Sequence, residues 1–336
     1  MHPRRVWILA SACLTGAACD IPTDPPILDH RWVLPLEVVT LDQTEVLPPE
    51  VQIAGTQYDV SVSDVTASET LANLCPLCVN GASGSTPAFQ GSFTAEEPLP
   101  TDLLSADVAG GSVDITITNG LSFDPLHNGG TISITLRGTS GGPVLGTLTF
   151  DGAVDAMPAG SVTVRTLALG AGTISGGIEA RIDVDHAGGA NTTIDLSQEI
   201  SIAAVTTSLL VSAVTVDVDG STVSLNNETL DAGLDEEFVN GIRSGSVVLD
   251  VTNPLDVSFA GSITIGTITK PVTITNAATS TVTIAFTADE LRYILSQESV
   301  VVSSSGTISG GPSVVTPTAD FSIDTTIDLM VELFGQ

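Results

Sequence analysis

Residues Gly111-Ser112-Val113-Asp114-Ile115-Thr116-Ile117-Thr118-Asn119 return in close paraphrase as Gly245-Ser246-Val247-Val248-Leu249-Asp250-Val251-Thr252-Asn253, 134 residues later. The same offset separates Gly172-Thr173-Ile174-Ser175-Gly176-Gly177 from an identical hexapeptide at 306–311. A third pair, Thr192 to Leu196 and Thr325 to Leu329, stands 133 residues apart, as a single one-residue indel would leave it. A period of this length is the size of an ordinary domain. The chain is therefore expected to hold two related domains in tandem, at 32–198 and 199–336, after a leader at 1–18 and a proline-rich tether at 19–31.

Within each repeat the pattern is apolar–polar alternation. Val113 to Ile117, Ile132 to Leu136, Leu145 to Phe150 and Val162 to Leu167 all place an apolar residue at every second position, which buries one face of a strand. Asn119-Gly120, Asn128-Gly129-Gly130, Ser140-Gly141-Gly142-Pro143 and Met157 to Gly160 supply turns between them. Val247 to Val251, Ile263 to Ile265, Val272 to Ile274 and Thr281 to Ile284 continue the theme in the second repeat, and Ile323 to Leu333 ends it. Ile200 to Asp219 reads as two strands meeting near Thr206-Thr207-Ser208. One helix is predicted from Thr287-Ala288-Asp289-Glu290, a capping box followed by Leu291, Ile294 and Leu295 on one face, running to about Gln297. A shorter helical turn is expected over Asp235 to Ile242. The fold class is all-β: two antiparallel β-sandwiches of about seven strands each, Ig-like, with one or two short helices. Arg31 to Val38 reads as a first edge strand, with Trp32 plugging the base of the first domain's core.

Charge narrows the partners. The chain carries 9 Lys plus Arg against 39 Asp plus Glu, a formal charge of −30, and Lys270 is its only lysine. A polyanion repels phosphate, which excludes nucleic acid as a partner. The same surface favours solubility and attracts divalent cations.

The N-terminus has Arg4 and Arg5, then an uncharged apolar run from Val6 to Leu14, then small residues before a cysteine. This is the layout of an export signal, too short to be a stable bilayer span. Leu14-Thr15-Gly16-Ala17-Ala18-Cys19 resembles the lipobox of bacterial lipoproteins, with Gly16 where leucine is favoured. That resemblance implies cleavage before Cys19, lipidation of its thiol, and a mature protein held at a membrane of the bacterial cell envelope. Asp20-Ile21-Pro22-Thr23-Asp24-Pro25-Pro26 then forms a stiff polar spacer.

Cys75-Pro76-Leu77-Cys78 holds the remaining cysteines beyond Cys13 in the leader. In an oxidising compartment the two are expected to pair with each other and pin a loop. A zinc site lacks a second ligand pair, and no βαβ unit supports a thioredoxin-like centre. His2, His30, His127 and His186 have no serine or cysteine elbow beside them, and there is no nucleotide-binding glycine loop. No cofactor and no catalytic set are expected. Asp183 with Asp185, and Asp217 with Asp219, each project two carboxylates on one strand face, as a Ca²⁺ site needs, but no complete Ca²⁺ loop surrounds them.

Val251-Thr252-Asn253-Pro254-Leu255 followed by Val257-Ser258-Phe259-Ala260-Gly261-Ser262-Ile263 resembles the Asn-Pro turn and following strand of type 2 late-embryogenesis-abundant (WHy) domains. The first repeat has Asn119-Gly120-Leu121 at that place. The resemblance implies an Ig-like binding module without catalytic residues. Three functions remain open: a lipid-anchored structural or binding module with an envelope protein partner, a carrier of a hydrophobic ligand or lipid, and a Ca²⁺-stabilised adhesin-like surface protein.

Overall fold

A computed structural model describes residues 28–35, 39–41, 47–139, 141–231 and 234–333. The leader and Cys19 lie outside the described residues. In chain order the first strands are β1 (Leu28–Pro35), β2 (Val39–Leu41), β3 (Val51–Ala54), β4 (Gln57–Val60) and β5 (Val65–Thr70), followed by helix α1 (Leu71–Leu74). Then come β6 (Ser83–Ser85), β7 (Phe89–Pro98), β8 (Leu103–Asn119), β9 (Thr131–Gly138), β10 (Val144–Asp151), β11 (Val162–Leu169) and β12 (Gly172–Ser175). β13 (Gly177–His186), β14 (Asn191–Thr193), β15 (Glu199–Val216) and β16 (Thr222–Asp231) lead to α2 (Glu236–Gly241). The chain ends with β17 (Ile242–Thr252), β18 (Ser258–Ile265), β19 (Ile268–Ile274), β20 (Thr279–Phe286), α3 (Ala288–Leu295), β21 (Ser299–Ser309), β22 (Ser313–Val315) and β23 (Phe321–Leu333).

The all-β expectation holds, with two antiparallel sandwiches and three short helices among the described residues. In the first, a sheet ordered β11-β8-β15, with β5 against β15, faces a sheet ordered β10-β9-β13-β7. In the second, β20-β17-β23-β1 faces β19-β18-β21-β16. The pairings are nested in both. The first strand lies against the eighth (β5 on β15, β1 on β23) and the second against the seventh (β7 on β13, β16 on β21). The third lies against the sixth (β8 on β11, β17 on β20) and the fourth against the fifth (β9 on β10, β18 on β19). A ribbon of antiparallel pairs folded over in this way is an eight-stranded jelly roll. The Ig-like order of seven strands is therefore replaced by this one.

The division expected between 198 and 199 does not match where the sheets divide. β15 begins at Glu199 and is the last strand of the first sandwich, paired with β8 from Ile200↔Asn119 onward. Conversely β1, which precedes the whole first sandwich, supplies the first strand of the second. Trp32 accordingly does not plug the first core; it sits in the second sandwich, 42 % exposed, with its ring edge-on to Phe238 at 5.3 Å. Nor does the chain break near Thr206. β15 runs on through a register shift between Thr206 and Ser208, and β8 runs beside it for its whole length.

Alternation explains the cores. Ile115, Ile117, Ile132, Ile134 and Ile182 are fully buried between the first pair of sheets, and Leu249, Ile284, Ile327 and Leu329 are buried between the second. Each such side chain contributes about 1.5–3 kcal/mol. The capping box is present as predicted: Thr287 Oγ1 accepts from Glu290 N–H and the Glu290 carboxylate from Thr287 N–H, with Leu291, Ile294 and Leu295 buried beneath. Lys270, on edge strand β19, points toward the sandwich interior, pairs with Glu290 at 2.8 Å and lies over the Phe286 ring. The two sandwiches share packing as well. β22 adds to the end of β15, and Leu255, Val257, Ile308 and Val315 join the first core.

Candidate functional site

The repeated nonapeptide occupies the same place twice, in β8 and in β17. Asn119 is fully buried at its end. Its Oδ1 accepts from Leu121 N–H at 3.0 Å, and its Nδ2 donates to the carbonyls of Phe123, Met157 and Pro158. Asn253 repeats this, accepting from Leu255 N–H and donating to the carbonyls of Val257 and Thr275. Such a side chain stands in for a turn's own hydrogen bonds. The glycine that opens the motif is demanded by proximity. A Cβ on Gly111 would stand 2.3 Å from the Ser208 carbonyl oxygen, and one on Gly245 2.5 Å from that of Asp328. The motif is thus architectural.

Cys75 and Cys78 form a disulfide, with Cα atoms 5.3 Å apart, at the end of α1. Leu71 and Leu74 anchor that helix in the core, while Leu77 and Val79 project into solvent. The carboxylate pairs are engaged separately. Asp183 takes a bidentate pair of hydrogen bonds from Arg181, and Asp185 accepts from Gln90 Nε2 at 2.8 Å. Asp217 accepts from Asp219 N–H, and Asp219 from Gly310 N–H. Among the described residues no three His, Cys, Asp or Glu side chains gather in a way that could hold a metal ion. The Tm is expected to be the same in Ca²⁺ and in EDTA, by scanning calorimetry; a rise with Ca²⁺ would restore the adhesin-like reading.

His186 is fully buried, its ring 5.1 Å from that of Phe89 and 4.9 Å from that of Phe123. Its Nδ1 lies 3.0 Å from the Pro125 carbonyl oxygen and its Nε2 2.8 Å from Thr86 Oγ1, which itself accepts from Ala190 N–H. A neutral ring protonated on Nδ1 satisfies every group. Burial holds the imidazole below its ordinary pKa of 6.5, opposed by the Pro125 hydrogen bond. The unfolded chain therefore binds this proton more tightly than the folded one. The stability linked to this group is complete above about pH 6.5 and falls as pH drops through and below that value. Urea midpoints measured from pH 7.5 to 5 should fall, and the slope should flatten in His186→Gln.

An open groove lies on the outer face of the first sandwich, across β5, β15 and β8. It is a groove of about 400 Å³ lined by Thr66, Ser68, Thr116, Thr118 and Ser201, with Glu199 as its only charged lining residue. Register explains the rows: Ser201 faces Ser68 on one side and Thr118 on the other, and Ala203 faces Thr66 and Thr116. Strand spacing sets these hydroxyls about 4.8 Å apart across the sheet. The sequence marked the stretches that form β8 and β15 but neither β5 nor the groove, because alternation says which residues face outward and nothing of how three strands curve. Inside the first sandwich, by contrast, the gap among Val113, Leu136, Leu169 and Ile178 measures about 10 Å³. That is room for a single water at most.

No family model matches the chain. No curated protein matches it. Among solved structures, a Parabacteroides distasonis protein described as secreted is 11 % identical, with 89 % of this chain and 99 % of that chain covered, at a TM-score of 0.34. A Broad Bean Stain Virus structure is 10 % identical over 87 % of this chain and 95 % of that one, at a TM-score of 0.23. A peptide-N(4)-(N-acetyl-β-D-glucosaminyl) asparagine amidase is 9 % identical over 81 % and 96 %, at a TM-score of 0.20. At these scores they carry no argument; the jelly-roll assignment rests on the strand pairings.

Proposed function

We propose that this chain is a non-enzymatic binding module of the bacterial cell envelope, exported by its leader and held to a membrane by lipid on Cys19. The observation that carries this reading is the leader itself: Arg4-Arg5, the apolar run from Val6 to Leu14, and Ala17-Ala18-Cys19, followed by a proline-stiffened spacer. Supporting the binding role, the titratable groups around the sandwiches serve structure: Arg137 with Glu179, Arg165 with Asp155, and His186 with Thr86. The filled interior of the first sandwich favours a ligand held on the outside over a lipid carried within. The hydroxyl-lined groove over β5, β15 and β8 suits a polar, hydroxyl-bearing partner there.

Intact mass of the protein extracted from membranes of a bacterial host, with its own leader, tests the anchor. A chain beginning at Cys19 with added acyl mass is expected, and Cys19→Ala should abolish both the cleavage and the acylation. An unacylated soluble product from the unaltered sequence would overturn the anchor and leave a secreted jelly-roll protein.

A further inference from the structure

The second sandwich has no first strand of its own. In the first sandwich that strand, β5, stands directly before the second strand of the same unit, β7, with only α1 and the short β6 between. At the matching place in the second sandwich, just before β16, the chain offers only residues 217–221, which turn between β15 and β16. The vacant edge of β23 is filled instead from the chain's beginning. β1 pairs with it from Leu28↔Leu333 to Pro35↔Thr326, and β2 continues along the same edge from Val39↔Ile323 to Leu41↔Phe321.

The attachment is mostly backbone. Across 29–35 only Leu34 is even half-buried; Trp32 and Val33 are 42 % and 53 % exposed. Side chains add a bidentate Arg31–Asp328 pair, with contacts of 2.9 and 2.7 Å, and the Trp32–Phe238 contact. Beneath the edge, Ile327, Leu329 and Val331 are buried. Without an occupant the edge would present a row of unpaired backbone groups beside apolar side chains, a state that recruits another strand.

We propose that β1 and β2 are exchangeable strands: the edge of β23 accepts them from a second copy of the chain as well as from its own, so that copies join by trading them. The occupant is specified by the groove. It must be extended, carry a cation two residues before the position opposite Asp328, and place an aromatic residue opposite Leu329 toward Phe238; the chain's own segment meets all three with Arg31 and Trp32, Val33 being the residue opposite Asp328. The same ladder forms within a chain or between chains, so the balance rests on concentration against an effective concentration of order mM for a short connection. That connection lies between Leu41 and Leu47, which is buried in the first core, so it can span at most roughly 20 Å.

The test uses the full-length chain with Cys13 and Cys19 replaced by Ser, so that its result does not depend on lipidation. One preparation carries Pro35→Cys and a second carries Thr326→Cys. These residues face each other in register, at a separation a disulfide can bridge. Mixed, unfolded and refolded together at rising concentration, then oxidised, the two should give a disulfide-linked species of twice the chain mass whose yield grows with concentration. A double variant refolded dilute should give an internal disulfide at single-chain mass. An internal disulfide in the double variant with no chain-to-chain disulfide at any concentration would overturn exchange. A double variant that forms no disulfide at all would overturn the β1–β23 pairing on which it stands.

Discussion

Asn119→Ala should lower the stability of the first sandwich by about 3–5 kcal/mol, because it strands several buried backbone groups at once. Leu121 N–H loses its acceptor, and the carbonyls of Phe123 and Met157 lose their donor among buried residues, while the Pro158 carbonyl, on an exposed residue, can turn to water. Asn119→Asp should be at least as damaging, since a carboxylate would face three carbonyl oxygens. Urea denaturation followed by circular dichroism gives the measurement, with the midpoint falling and the slope unchanged. Asn253→Ala should act in the same direction on the second sandwich with a smaller loss, having two carbonyl partners in place of three. A loss below about 1 kcal/mol for Asn119→Ala would mean that the turns hold without the side chain.

Gly111→Ala is the second large effect, at about 3–4 kcal/mol. Its backbone lies at φ +139°, which L side chains rarely adopt, and the new methyl would fall 2.3 Å from the Ser208 carbonyl oxygen, a backbone atom of β15 with little freedom to retreat. The neighbouring Gly110→Ala is the control. The nearest atom there is the Leu169 carbonyl oxygen at 3.9 Å, an ordinary contact, so that variant should lose less than about 1 kcal/mol. Equal losses at the two positions would show that strand entropy, not the close approach, makes glycine necessary. Gly245→Ala should resemble Gly111→Ala, with Asp328 O at 2.5 Å and the Leu291 and Leu329 side chains at 2.9 Å.

These two residue types mark how far the sequence could be read. Gly111 to Asn119 and Gly245 to Asn253 match because both copies need a close strand crossing at one end and a pinned turn at the other. That match located equivalent strands. The other two matches did not. Gly172 to Ser175 forms β12 beside β8, whereas Gly306 to Ser309 ends β21; Thr192 and Thr193 sit in β14, whereas Thr325 to Leu329 lie inside β23. Strings of Thr, Ile and Gly recur in any chain built from half-buried strands, so they can agree without structural equivalence. Alternation identified the buried faces of β8, β9 and β17, and the capping box at Thr287 identified α3, because those signals are local. Edge assignment is not local. Nothing in Leu28 to Pro35 says which edge it will meet, and its partner Asp328 lies 297 residues from Arg31. The hydroxyl groove was hidden for a similar reason, since Thr66, Thr116 and Ser201 come from three separated strands.

The union of β1 with β23 also sets an order of events for a chain that leaves the ribosome, or crosses a membrane, N-terminus first. The first of these strands emerges first and its partner is made last. The eight strands of the first sandwich can pair as soon as β15 has appeared, with Leu255, Val257, Ile308 and Val315 joining its core later, while the second cannot be completed until residue 333 is available. The two strands stand 297 residues apart at Arg31 and Asp328, and so non-local a pairing is expected to form late. The arrival of the chain's beginning at its end is therefore expected to be the last pairing to form.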